Sequence, residues 1–284
     1  MSTLSRWLRS ETPVPPTPYE HLLLAPRFEV RTEQLLGKPF RIADTLSFYS
    51  SFREIFQQEI YRFHAASHSP IIVDCGANYG VSVVYFKQLF PDAKIIAVEA
   101  DPEIFAILEW NISAHGLTDV TLINKVVAAQ SDPVPFHREG ADAGRIHFMD
   151  GAKDVLTLPT IPLDQLLSQP VDFLKIDIEG AETDVLAASR RLDFVSQLMV
   201  EYHSFADLRQ SLPTLLTSLT AAGFRYYVQT QYCPRQPLAK TTSHLGMDLQ
   251  LNIFAKRLGS PAAVVGRLAL PPDTDNSTVH RRVA

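Results

Sequence analysis

The stretch Ile71-Ile72-Val73-Asp74-Cys75-Gly76-Ala77-Asn78-Tyr79-Gly80 decides the fold. Its first three residues are apolar and β-branched, the composition of a short strand buried on both faces of a parallel sheet. Asp74 ends the run. Gly76 and Gly80 lack a Cβ, so the backbone there can turn sharply and approach a ligand closely. Val81 to Phe90 then reads as a helix stopped by Pro91. Strand, glycine turn and helix in that order are the first step of an open α/β sheet, in which ligands bind outside the carboxyl ends of the strands.

The same pattern repeats outward from this stretch. Ile95 to Val98 is a second strand, ending in Glu99, and Asp101-Pro102 opens a helix that runs to about His115 and is closed by Gly116. Val120 to Ile123, Phe173 to Ile176 and Leu198 to Val200 read as further strands, the last two ending in Asp177 and Glu201. Glu182 to Ser189 is helical in pattern. Phe224 to Gln229 and Leu249 to Ala255 are two late strands with no helix between them, which predicts an antiparallel pair. The fold class expected is α/β: a doubly wound, mostly parallel, seven-stranded sheet with an N-terminal helical extension.

Three regions are expected: an N-terminal extension and cap over 1–66, the sheet domain over 67–258, and a partly disordered tail over 259–284. Within the first, Leu4 to Arg9 reads as a short helix, residues 11–18 as a proline-rich tether, and 28–43 as a small hairpin or cap. Phe48 to His64 reads as one helix, with Phe52, Ile55, Phe56 and Ile60 on its apolar face.

Composition narrows the function. The 284 residues carry 26 Lys and Arg against 31 Asp and Glu, a net charge of -5. A broad nucleic-acid footprint needs a basic face, so nucleic acid is not an expected partner. Two cysteines, Cys75 and Cys233, show neither metal-ligand spacing nor a disulfide framework. No apolar run approaches the roughly 20 residues of a membrane helix, and the N-terminus has no apolar core of signal-peptide type. A cytoplasmic protein is expected.

The residues after the strands carry the chemistry. Glu99 lies about 20 residues beyond the glycines, where a carboxylate accepts hydrogen bonds from both hydroxyls of a ribose. A dinucleotide site would follow G-x-G-x-x-G, with the second glycine admitting a pyrophosphate. Here Asn78 occupies that position and Asp74 precedes the loop, so a pyrophosphate is disfavoured. A sulfonium and an ammonium group suit carboxylates better. The reading favours S-adenosyl-L-methionine, bound by Asp74, Gly76, Asn78, Gly80, Glu99, Ala100 and Asp177.

Taken together, Ile72 to Gly80, Phe90-Pro91, Val98-Glu99-Ala100 and above all Leu174-Lys175-Ile176-Asp177-Ile178-Glu179-Gly180-Ala181-Glu182 resemble the FkbM family of methyltransferases. Glu54-Ile55-Phe56 with Tyr61, and Glu201-Tyr202-His203, are similar to it too. The resemblance covers about residues 38–256, with Ala100 where the family usually has proline. It implies a Rossmann-like sheet of the class I methyltransferase type, S-adenosylmethionine as cofactor, and O-methylation of a hydroxyl on a sugar or secondary metabolite. The partner implied is therefore a small-molecule or glycan acceptor.

Methyl transfer is an in-line displacement, so the protein must align donor and acceptor and can remove the acceptor proton. His203, with Asp177 and Glu201, is the expected catalytic set, because an unperturbed imidazole is largely neutral at pH 7. The alternative for these three residues is a divalent cation acting as Lewis acid. Glu179 and Glu182 can equally serve as complements to the helix that starts beside them, and Lys175 as a structural ion-pair partner. The long segments Phe136 to Leu158 and 230–248 are expected to set specificity. Two other readings stand beside this one: an NAD-dependent oxidoreductase, and a non-catalytic cofactor-binding protein.

Overall fold

Short runs rich in Val and Ile lose little by being extended and gain by burial on both faces, and the sheet is built from them. The computed structural model describes residues 16–138, 144, 154–239 and 242–257. Leu4 to Arg9 and the tail beyond residue 257 lie outside the described residues. An antiparallel hairpin opens the fold, β1 (Arg31–Leu35) and β2 (Lys38–Ile42). The central sheet contains β3 (Ile71–Cys75), β4 (Lys94–Glu99) and β5 (Val120–Asn124). Two small pairs follow: β6 (Val126–Ala128) with β9 (Thr160–Pro162), and β7 (Val134–His137) with β8 (Val155–Leu158). The central sheet resumes with β10 (Val171–Ile176), β11 (Val195–Phe205), β12 (Phe224–Tyr232) and β13 (Met247–Arg257).

The seven central strands lie in the order β12-β13-β11-β10-β3-β4-β5. β13 runs antiparallel to both its neighbours, and the remaining pairings are parallel. This is the mostly parallel, Rossmann-like sheet expected from the sequence, with its late antiparallel pair. Alternation divides the core. Ile72, Ile95, Phe173 and Met199 pack on one face with Phe48, Val83, Phe86 and Leu108. Val73, Val98, Leu174 and Val200 pack on the other with Val185, Leu186, Leu215 and Leu219. Ile72 and Val73 are fully buried, which stabilises the fold by about 1.5–3 kcal/mol for each side chain.

Two elements differ from their expected form. The helix expected over 48–64 is an α-helix, Thr45–Phe52, that widens into a π-helical turn, Arg53–Gln57, where the Gln58 N–H bonds the Arg53 carbonyl at 2.9 Å. Such turns rotate the side chains that follow and are common at functional sites. Asp44 caps the helix, accepting from the Ser47 N–H at 3.0 Å and its hydroxyl at 2.7 Å, and the Arg27 guanidinium holds the carboxylate bidentately at 2.8 and 2.9 Å. β11, expected to end at Glu201, runs to Phe205 because its second half is paired by β13. Glu201 and His203 therefore lie inside a strand, two residues apart and on one face.

Among the described residues, no helix is long and apolar enough to cross a membrane.

Candidate functional site

From β3 the chain proceeds outward to β4 and β5, then returns to β10 on the other side of β3. The carboxyl ends of β3 and β10 are thus the point where strand order reverses, the place at which open α/β sheets bind ligands. A cavity of about 500 Å³ lies there, a size typical of cofactor sites. Gly76 makes the crevice tight. Its φ is +82°, and a Cβ added there would fall 1.8 Å from the Asp177 carbonyl oxygen. The N–H groups of Gly76 and Ala77 both bond the Val98 carbonyl at 2.9 Å, and Lys175 Nζ donates to the Gly76 carbonyl at 2.7 Å. The loop is held from β4 on one side and β10 on the other.

Glu99, at the tip of β4, lines the cavity. Its Oε2 accepts the Asn78 N–H at 2.9 Å and its Oε1 the Asp101 N–H at 2.8 Å. Asn78 has φ +48°, a left-handed conformation that Asn tolerates better than most residues. Each Glu99 oxygen keeps a lone pair beyond these bonds. Asn124 Nδ2 clamps the same turn through the carbonyls of Glu99 and Ala100, both at 2.9 Å. Burial pushes the Glu99 carboxyl up to about 7, against the lowering effect of its two backbone donors.

The far end of the cavity is acidic. Glu54 enters from the π-helical turn, Asp177 and Glu179 from the loop after β10, and Glu201 from β11. Two basic side chains of the chain's own lie beside them. Lys175 Nζ lies 3.3 Å from both Asp74 Oδ1 and Asp177 Oδ2. His203 is buried, with Nδ1 at 3.0 Å from Glu182 Oε1 and Nε2 at 3.6 Å from Glu179 Oε2 and 4.0 Å from Glu201 Oε1. Burial alone would lower the His203 pKa, but Glu179, Glu182 and Glu201 raise it well above the ordinary imidazole value. Burial, with Asp177 beside them, pushes Glu54 up to about 7 and Glu201 up to about 8. Glu179 is raised well above the usual carboxylate range by burial, against the lowering pull of His203.

Residues 74–226 match the methyltransferase FkbM domain. The chain belongs to the FkbM methyltransferase family. It is 26% identical over 221 residues to methyltransferase sdnD of Sordaria araneosa, spanning 61% of this chain and 85% of that one. It is 23% identical over 204 residues to methyltransferase 1 of Beauveria bassiana, spanning 62% and 81%. Among solved structures, methyltransferase FkbM from Methylobacillus flagellatus KT is 17% identical with a TM-score of 0.46; the match covers 70% of this chain and 46% of that one.

In this FkbM methyltransferase, Gly76, Asn78, Glu99, Ala100 and Asp177, at or just beyond strand ends, line one cavity, and Glu201 reaches it from within β11. Two residues of the expected cofactor set do not. Asp74 is fully buried, accepting from Ser82 Oγ at 2.5 Å and facing Lys175; it anchors the loop from beneath and touches no ligand space. Gly80 faces the helix core, where an added Cβ would meet Leu108 Cδ1 at 2.7 Å. His203, the expected base, is buried beside three acidic side chains. Glu179, Glu182 and Glu201 around it raise its pKa well above the ordinary imidazole value, so its proton is held more firmly than in a free imidazole. Glu182 accepts from the N–H groups of Ile178 at 3.2 Å and Gly180 at 2.9 Å. It is therefore a loop anchor and His203 partner.

The expected cation set of Asp177, Glu201 and His203 is also rearranged. Ligand atoms of Asp177, Glu179 and His203 fall within 4.8 Å of one another, and Glu201 is outside that group. Within it, Asp177 lies beside Lys175, and Glu179 beside His203. Glu54 was missed. Its only sequence signal was its place in Glu54-Ile55-Phe56, upstream of the sheet, where strand-end reasoning does not look. The ends of the expected loop 136–158 pair as β7 and β8, and Phe136 and Gly144 reach the cavity wall.

Proposed function

We propose that the protein is an S-adenosylmethionine-dependent O-methyltransferase acting on a hydroxyl of a small-molecule or glycan acceptor. The observation that carries this reading is Glu99, a carboxylate on the cavity wall whose two oxygens hold the flanking loops and keep one lone pair each. The ribose hydroxyls of the cofactor are its natural donors. Gly76 and Ala77 would give the cofactor backbone surface, and Asn78, Ala100 and Asp101 the rim around its nucleoside. The cofactor supplies an activated methyl group, and Asp177 with Glu201 gives its positive end an acidic surrounding. A pyrophosphate fits poorly, because the Asn78 N–H is already bound to Glu99 and the crevice floor is acidic. Lys175 and the backbone of this loop hold the crevice in shape, and the substrate-side carboxylates orient the acceptor.

A calorimetric titration tests the reading. S-adenosylmethionine and its demethylated product are expected to bind at micromolar levels, and NAD is not. NAD binding with no S-adenosylmethionine binding would refute it. Transfer of labelled methyl from the cofactor to a panel of sugars and hydroxylated metabolites tests the acceptor class.

A further inference from the structure

We propose that Glu54, carried into the crevice by the N-terminal segment, is the base that takes the acceptor's proton; this rests on the cofactor reading above. The argument is one of position. Glu54 lines the same cavity as Glu99 and Asp177 but belongs to a different layer, the π-helical turn that lies over the sheet tips. The i→i+5 bond from Gln58 to Arg53 opens the helix at this residue. A widened turn that delivers a carboxylate to a cavity has a function to serve.

The other carboxylates there are committed. Glu99 carries two backbone N–H groups. Asp177 faces the Lys175 ammonium. Glu179 and Glu182 flank His203, and Glu201 accepts from Gln250 Nε2. Glu54 accepts from the Gln231 side chain of β12, with Arg53 on its own turn and Asp177 and Glu201 as charged neighbours. Burial and Asp177 bring its carboxyl to about 7, so it is about half ionised at neutral pH, the range in which a general base works best.

In the step, an acceptor oxygen lone pair forms the bond to the methyl carbon while the carbon–sulfur bond breaks. The bonding electrons stay on sulfur, which becomes a neutral thioether. The hydroxyl proton passes to a Glu54 carboxylate oxygen and from there to solvent.

Glu54→Gln keeps the shape and removes the base, and Glu54→Asp keeps a carboxylate at shorter reach. The first readout is carboxyl-carbon NMR of glutamate-labelled protein with the demethylated cofactor bound. Several crevice carboxyls titrate near neutral pH, so the difference from Glu54→Gln identifies this one. A titration near pH 7 that vanishes in the variant supports the proposal; its persistence, or its absence from the parent, overturns it. The second readout is single-turnover methyl transfer to whichever hydroxylated acceptor of the panel is methylated. Glu54→Gln is expected to slow it about 100-fold or more, with Glu54→Asp recovering part and product-cofactor affinity staying within about twofold. Equal rates would overturn the proposal. Failure of S-adenosylmethionine to bind the parent would instead overturn the cofactor reading.

Discussion

Glu99 Oε2 accepts the backbone N–H of Asn78 at 2.9 Å, tying the tip of β4 to the loop that follows β3. The two loops that would grip a nucleoside are therefore one hydrogen-bonded unit. Glu99→Ala removes the ribose acceptor and frees the loop together. Hydrogen bonds to a charged group contribute about 1.5–3 kcal/mol each, so affinity for the demethylated cofactor is expected to fall at least about 10-fold by calorimetry. Unchanged affinity would remove Glu99 from the site.

Lys175 stabilises by position. It is 3% exposed, between the fully buried Asp74 and the partly exposed Asp177. Lys175→Met leaves Asp74 as an uncompensated buried charge, a change that typically costs about 3–5 kcal/mol. Urea unfolding is expected to show that loss, and adding Asp74→Asn to recover part of it. A variant as stable as the parent would contradict the buried pairing of Lys175 with Asp74.

Gly76→Ala tests the closeness of β3 and β10. The added methyl would fall 1.8 Å from the Asp177 carbonyl at a φ of +82°, so the loop must shift. Cofactor binding is expected to be lost, and thermal unfolding to occur several degrees lower. Retained binding would show that the crevice is looser than this packing requires.

Binding should respond to pH with a definite sign. Glu54 and Glu99 titrate near 7 and Glu201 near 8. Raising the pH from 6 to 8.5 ionises them and makes the crevice more negative. The cofactor and its demethylated product share every titratable group, so their affinity ratio isolates the sulfonium charge. The ratio is expected to rise several-fold over that range. The same raised values mean that these three groups favour folding fully below about 4.5 and lose that contribution as pH rises through about 7–8. Their share of stability is therefore larger at pH 5.5 than at pH 8.5, as melting temperatures of the triple Gln variant and the parent would show. A ratio that is flat with pH would contradict an ionising crevice.

The sheet was legible because each strand carries its own signal: Ile71-Ile72-Val73, Ile95 to Val98 and Leu174 to Ile176 are short apolar runs bounded by an acid or a glycine. The crevice wall at Gly76, Asn78 and Glu99 was legible because these residues follow those runs directly. What escaped depends on tertiary pairing. Asp74 stands two residues before Gly76 in sequence, yet it lies opposite Lys175 in the β3–β10 register, inside the sheet. His203 reads as an isolated imidazole until Glu179, Glu182 and Glu201 are seen around it. Glu54 has no strand to mark it; only the fold of the N-terminal segment over the sheet brings it to Asp177.

A crystal structure of the protein with the demethylated cofactor tests the central claim most directly. Both ribose hydroxyls are expected within hydrogen-bond distance of the Glu99 oxygens, with the sulfur turned toward Asp177 and Glu54. A cofactor bound elsewhere, or Glu99 making no contact with its ribose, would contradict the account.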